Sequence, residues 1–154
     1  MPNGIYSGIR CSSDEEHDPF EPLPHQRQVR KYFLNSPYKG LLLYWQLGSG
    51  KTCGALMIAD KMLRKKRINK VYVLTPGSLR QGWITEYCKK CGYSQEYFTQ
   101  YYTFITYNYS VGHNLPDFTG GLVIIDEVHN LINGVKNASK TCTTIYNLLQ
   151  KTEC

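Results

Sequence analysis

No stretch of this sequence approaches the roughly 20 continuous apolar residues that a membrane-spanning helix requires. A membrane is therefore not among its expected partners. The opening residues Met1-Pro2-Asn3-Gly4 lack the basic and apolar regions of a secretory signal, which points to an intracellular, reducing compartment. The six cysteines are accordingly read as free thiols. Cys88 and Cys91 stand at the spacing of half a zinc site, but no second pair follows at ligand spacing, so two thiols near a helix end is the expected arrangement. Internal repeats are absent as well. Acidic residues are few, 12 Asp and Glu against 18 Lys and Arg, and the resulting net charge of +6 is unevenly spread. Lys61, Arg64, Lys65, Lys66, Arg67 and Lys70 crowd together, while Asp14, Glu15, Glu16, Asp18 and Glu21 make the amino-terminal segment acidic. Such a basic run fits a nucleic-acid contact or, equally, the last turns of a helix whose negative end it complements.

What is present describes one folded domain. The length of 154 residues is enough to bury a single core, and 42% hydrophobic residues with only 19% charged ones exclude a disordered chain. Residues 1–22 show no periodicity and read as an irregular acidic leader, with the domain proper expected over 23–154. A short helix is expected over 26–33. The continuous apolar run at 40–45 has the character of a buried parallel strand. Ala55, Leu56, Ile58, Ala59, Met62 and Leu63 then recur at helical spacing. Strands are expected at 71–74, 102–107 and 122–125, with helices through Leu79, Trp83 and Tyr87 and over 140–149. Alternating strands and helices predict a layered α/β fold with a mostly parallel sheet. Tyr93, Tyr97, Phe98, Tyr101, Tyr102, Phe104 and Tyr107 form an aromatic stretch that suits core packing better than base stacking.

Two motifs carry chemistry. Gly48-Ser49-Gly50-Lys51-Thr52 lies between an apolar run and an apolar-periodic helix, the context in which a glycine turn becomes a phosphate-binding loop. Its backbone amides and the positive end of the helix face an anion, Lys51 adds a point charge for the β and γ phosphates, and the Thr52 hydroxyl is a ligand for Mg²⁺. The full pattern asks for Gly at position 45, where this chain has Trp45. The second motif is the apolar run 122–125 followed by Asp126-Glu127-Val128-His129. It delivers two carboxylates to the carboxyl edge of a parallel sheet, Asp126 to hold Mg²⁺ and Glu127 to orient and deprotonate an attacking water. Together the motifs predict a Mg-ATP site.

Asp126-Glu127-Val128-His129 resembles the D-E-x-H signature of superfamily 2 helicases, and the resemblance extends over residues 23–150. It implies a three-layer P-loop (RecA-like) fold, ATP hydrolysis with Mg²⁺, and a catalytic set of Lys51, Asp126, Glu127 and His129. Leu23-Pro24-His25-Gln26 is similar to the segment whose Gln contacts adenine, which makes Gln26 the adenine-contact candidate. Leu74-Thr75-Pro76-Gly77 resembles motif Ia and Ile105-Thr106-Tyr107-Asn108 motif Ib, so that Thr75, Pro76, Gly77, Thr106 and Tyr107 are the implied nucleic-acid contacts. Within the superfamily the chain looks like the ATPases of large DNA viruses, the poxvirus nucleoside triphosphatase I and early transcription factor small subunit with their giant-virus relatives. That implies DNA ahead of RNA as partner, a transcription-linked role, and residence in the virion or host cytoplasm.

The family continues into a Ser-Ala-Thr strand and a second RecA-like domain bearing arginine fingers, and neither follows Lys140–Leu149 before Cys154. The sheet is thus expected to be incomplete at its C-terminal end, with a vacant position between the run at 40–45 and the strand at 122–125. The second domain would act in cis or in trans. Two other functions share these motifs. A truncated, non-catalytic helicase-like module would have no need of Lys51, Asp126 and Glu127 together. A small nucleotide kinase would carry an Arg-rich lid, which this sequence lacks.

Overall fold

A computed structural model describes residues 21–86, 91–92, 94–107 and 115–152. Nearly all of the expected acidic leader, together with Tyr87, Cys88, Tyr93 and Asn108, lies outside the described residues. Helix α1 (Pro24–Asn35) starts with Pro at its first position, where the missing N–H is no loss. Helix α2 (Lys51–Arg64) buries Cys53, Leu56, Met57, Ala59, Asp60 and Leu63 and places Lys61 and Arg64 in its last turn, against the negative end of its dipole. Strand β1 (Lys70–Thr75) leads through a 3₁₀ turn (Gly77–Leu79) into α3 (Arg80–Thr85). Helix α4 (Gln95–Tyr101), capped by the Ser94 side chain on the Tyr97 N–H, runs directly into β2 (Tyr102–Thr106). Strand β3 (Gly121–Ile125), α5 (Val128–Lys136) and α6 (Lys140–Lys151) follow.

The three strands are parallel and ordered β2-β1-β3, so β1 is central. Thr75 pairs with Thr106 and Leu74 with Ile125, which brings the carboxyl ends of all three strands to one edge. Side chains alternate across this sheet. Val71 and Val73 join Leu56, Ala59, Leu63, Trp83 and Phe98 in one core, while Leu74 joins Ile105, Phe118, Leu131 and Ile145 in another. A helical layer on each face gives the three-layer α/β arrangement expected, in the form of a partial RecA-like fold. In the second layer α5 and α6 approach closely at Gly134, where a Cβ would collide with Cys142.

One expected strand does not form. Residues 40–46 are irregular, and Leu42, Tyr44 and Leu47 are 73%, 95% and 97% exposed. A strand exists only through its ladder, and both edges of β1 are already taken by β2 and β3. Among the described residues nothing pairs with the outer edge of β3, and the apolar run at 40–46 does not reach it. No helix of the described residues is long and apolar enough to cross a membrane.

Candidate nucleotide site at the carboxyl edge of the sheet

The loop before α2 is shaped by two glycines. Gly48 and Gly50 both have φ of 78°, a left-handed conformation that a side chain would strain. The first N–H groups of α2, at Lys51 and Thr52, follow at once, without partners inside the helix and at its positive end. Ser49 closes the turn through its hydroxyl on the Gln46 carbonyl at 2.7 Å. The Lys51 ammonium folds back over the loop and donates to the carbonyls of Trp45 and Gln46 at 3.0 and 3.1 Å. Those are neutral acceptors, so a phosphate anion competes well for the same cation.

Helix α1 braces the loop from beneath. His25 Nε2 lies 3.0 Å from the Ser49 carbonyl, and Gln26 Nε2 donates to the Gly50 carbonyl at 3.0 Å. The other end of the Gln26 amide accepts from the Leu23 N–H, and the residue is only 3% exposed. An adenine contact by Gln26 therefore requires one of these bonds to be surrendered. Trp45, the residue that departs from the phosphate-loop pattern, packs its ring edge-on to His25 with centroids 4.7 Å apart and lies over Gly54, where a Cβ would come within 2.9 Å of the indole.

Across the site, Asp126 continues β3 and is half-buried. Its N–H donates to the Leu74 carbonyl at 2.8 Å, and its own carbonyl accepts from the Tyr107 hydroxyl at 2.6 Å. Burial, with the Asp126 charge adding to it, pushes the Tyr107 phenol well above its usual pKa and keeps it a donor. The Asp126 carboxylate takes two further donors on Oδ2, the Thr75 hydroxyl at 3.1 Å and the Trp83 indole N–H at 2.9 Å. Glu127 is exposed and adopts φ 51°, ψ 53°, uncommon for a residue with a side chain and typical of strain kept at functional sites. Its Oε2 lies 3.3 Å from His129 Nδ1, a contact that becomes an ion pair when the imidazole is protonated.

The donor set suits Mg²⁺. Thr52 and Asp126 offer a hydroxyl and a carboxylate, hard oxygen ligands of the kind this ion takes when substrate phosphates and waters complete its octahedron. No cluster of three or more His, Cys, Asp or Glu side chains that would cage an ion exists among the described residues.

The remaining sequence candidates divide. Thr75 is fully buried with its hydroxyl on Asp126, so that side chain faces Asp126 rather than solvent. Pro76 is half-buried and Gly77 exposed, and a Cβ on Gly77 would touch Thr106 at 3.6 Å, which sets the Ia and Ib segments side by side. Among its described residues the aromatic stretch packs internally: Phe98 stacks on Tyr102 at 4.6 Å and tilts against Phe104 at 5.6 Å. In the basic run, Arg67 donates to the Leu34 carbonyl and Lys70 to the Gln100 carbonyl. Sequence reasoning missed Trp83, His25 and Gly54. The only available signal was Trp83, because a core indole needs an acceptor for its N–H.

No family model and no solved structure matches the chain. Curated relatives do. The protein named as ATP-dependent RNA helicase R563 of Acanthamoeba polyphaga mimivirus is 31% identical over 149 residues, covering 73% of this chain and 26% of its own length. ATP-dependent helicase YqhH of Bacillus subtilis (strain 168) is 26% identical over 143 residues, covering 86% of this chain and 25% of its own. Helicase 087L of Invertebrate iridescent virus 3 is 26% identical over 158 residues, covering 76% and 16%. The chain thus spans about a quarter or less of each relative's length. With these helicases as its homologues, the chain is a relative of the superfamily 2 helicases, giant-virus members among them.

Proposed function

We propose that this chain is the ATP-binding first motor domain of a nucleic-acid-dependent ATPase of the helicase type. The observation that carries the reading is the position of Asp126. Its side chain is bonded to Thr75 of the Ia segment and its backbone to Tyr107 of the Ib segment, so the nucleotide site and the implied nucleic-acid edge share one hydrogen-bonded group. In this reading Gly48, Ser49, Gly50 and Lys51 hold the phosphates. Thr52 and Asp126 hold Mg²⁺, which neutralises charge on the phosphate oxygens when bound. Glu127 positions and deprotonates the attacking water, with His129 beside its carboxylate.

Hydrolysis is separable from binding. The charge that develops in phosphoryl transfer is commonly neutralised by an arginine finger worth about 10³ to 10⁵ in rate. In this reading a second RecA-like domain, in cis or in trans, supplies it. The mimivirus and iridescent-virus relatives favour a viral origin, and the resemblance to transcription-linked ATPases of large DNA viruses favours that setting and a DNA substrate. The name of R563 favours RNA. The test is steady-state ATP hydrolysis by the chain alone, with single-stranded DNA or RNA, and with a relative's second domain added. Weak hydrolysis raised by nucleic acid and by the added domain is expected. An unstimulated rate in every combination would leave no motor role.

A further inference from the structure

The Asp126 carboxylate is aimed from inside the fold, by a helix on which the two sequence motifs are silent. Two donors fall on one oxygen, Oδ2: the Thr75 hydroxyl at the end of β1 and the Trp83 indole N–H on α3. Neither donor reaches solvent readily, since Thr75 is 0% and Trp83 4% exposed. A carboxylate oxygen held by two fixed, buried donors loses its freedom of rotation about the last side-chain torsion, which is otherwise broad. The second oxygen, Oδ1, takes no hydrogen bond among the described residues. Helix α3 also touches the other side of the site. Glu86, at its carboxyl-terminal cap, accepts from Cys53 Sγ at 3.4 Å, and Cys53 directly follows Thr52. One helix is therefore bonded to Asp126 and to the neighbour of Thr52, the two residues assigned to the metal.

We propose that Trp83 is a positioning residue that, together with Thr75, turns the free oxygen of Asp126 toward the nucleotide's Mg²⁺. The inference rests on the reading of Asp126 as a magnesium ligand. Trp83 never touches metal or phosphate. It fixes the orientation of the group that does, and groups bonded to a metal ligand in this way typically contribute about 10- to 100-fold to metal affinity. Loss of the indole N–H leaves the phosphate loop intact, so nucleotide affinity without metal is retained while its dependence on metal is weakened.

The experiment titrates a fluorescent ATP analogue into the full chain in EDTA, then titrates Mg²⁺ into the bound complex. For Trp83→Phe, affinity in EDTA equal to wild type and a Mg²⁺ half-saturation shifted up by about 10-fold or more are expected. Thr75→Val removes the second donor at nearly constant shape and shifts the curve in the same direction, whereas Thr75→Ser, which keeps the hydroxyl, restores the wild-type curve. The Thr75 pair decides the matter if Trp83→Phe fails to fold. Wild-type Mg²⁺ curves for Trp83→Phe and Thr75→Val would reduce Trp83 to core packing and overturn the proposal, with the magnesium reading intact. A wild-type chain whose nucleotide affinity ignores Mg²⁺ would instead overturn the magnesium reading and this proposal with it.

Discussion

Gly50 and Gly54 show how little tolerance the loop before α2 and the first turn of that helix have for a single methyl group. A Cβ on Gly50 would require a left-handed conformation and would meet Gln26 Nε2 at 2.5 Å, in the bond that ties α1 to the loop. Gly50→Ala is therefore expected to destabilise the domain by about 1 to 3 kcal/mol and to lower ATP affinity, as read by urea unfolding and nucleotide titration. Gly54→Ala pushes on Trp45 instead, and overpacking of this kind costs about 1 to 3 kcal/mol. The discriminating observation is that Trp45→Leu in the same chain should relieve part of that cost. Non-additivity is the expected sign of contact, and strict additivity of the two changes would show the packing to be irrelevant. At Glu127 the expectation is different again. Glu127→Gln keeps the shape of the site and removes its base, so ATP affinity should remain within a few-fold while hydrolysis is lost. Unchanged hydrolysis would remove Glu127 from the mechanism. The sequence displayed these chemical groups openly, because phosphate and metal chemistry demand particular residue types at particular offsets. It concealed Trp83 and His25, whose roles depend on neighbours 43 and 24 residues away.

Among the elements, α2 decides how the basic run is used. Its 14 residues, at 1.5 Å of rise each, carry the chain about 21 Å from the phosphate loop back to the amino end of β1. Lys65, Lys66 and Arg67 thus lie just before β1, at the opposite edge of the sheet from Thr106 and Gly77. Burial and the neighbouring Lys65 and Arg64 lower the Lys61 pKa, the mark of cations crowded at a helix end. Replacing Lys65, Lys66 and Arg67 together by Gln should leave nucleic-acid affinity and its salt dependence nearly unchanged, measured by fluorescence anisotropy at several salt concentrations. A marked fall in the salt slope would place a phosphate contact there after all. The strands at 71–74, 102–107 and 122–125 and the helices expected over 26–33 and 140–149 were legible from periodicity within two residues at their ends, whereas α4, read only as an aromatic stretch, was not. The run at 40–45 was not, because an apolar stretch of that length announces burial against something without saying whether the neighbouring strand is present.

For the whole molecule, the edge of β3 with which none of the described residues pairs is the feature that the expected vacancy between the two motifs addresses. Leu122, Val123, Ile124 and Ile125 are apolar on both faces, the pattern of a strand buried inside a parallel sheet, yet each is only partly buried. Leu42, Tyr44 and Leu47, around the entry to the loop before α2, are exposed as well. If the proposed motor completes the sheet, β3 amides that do not face β1 should exchange rapidly in this chain alone and become protected when the rest of the motor is supplied. Equal protection in both states would mean that the edge is not a joint of the motor.

The expectations for nucleotide binding and hydrolysis depend on one claim, that Gly48–Thr52 and Asp126 together bind Mg-ATP. Calorimetric titration of Mg-ATP into the wild-type chain and into Lys51→Ala tests it most directly. The account predicts saturable binding by the wild-type chain that falls by at least about 100-fold in the variant, since a cation in charge-assisted contact with phosphate contributes roughly 1.5 to 3 kcal/mol and this one faces two phosphate groups. Equal affinity in the two proteins, or no binding by a folded wild-type chain, would contradict it.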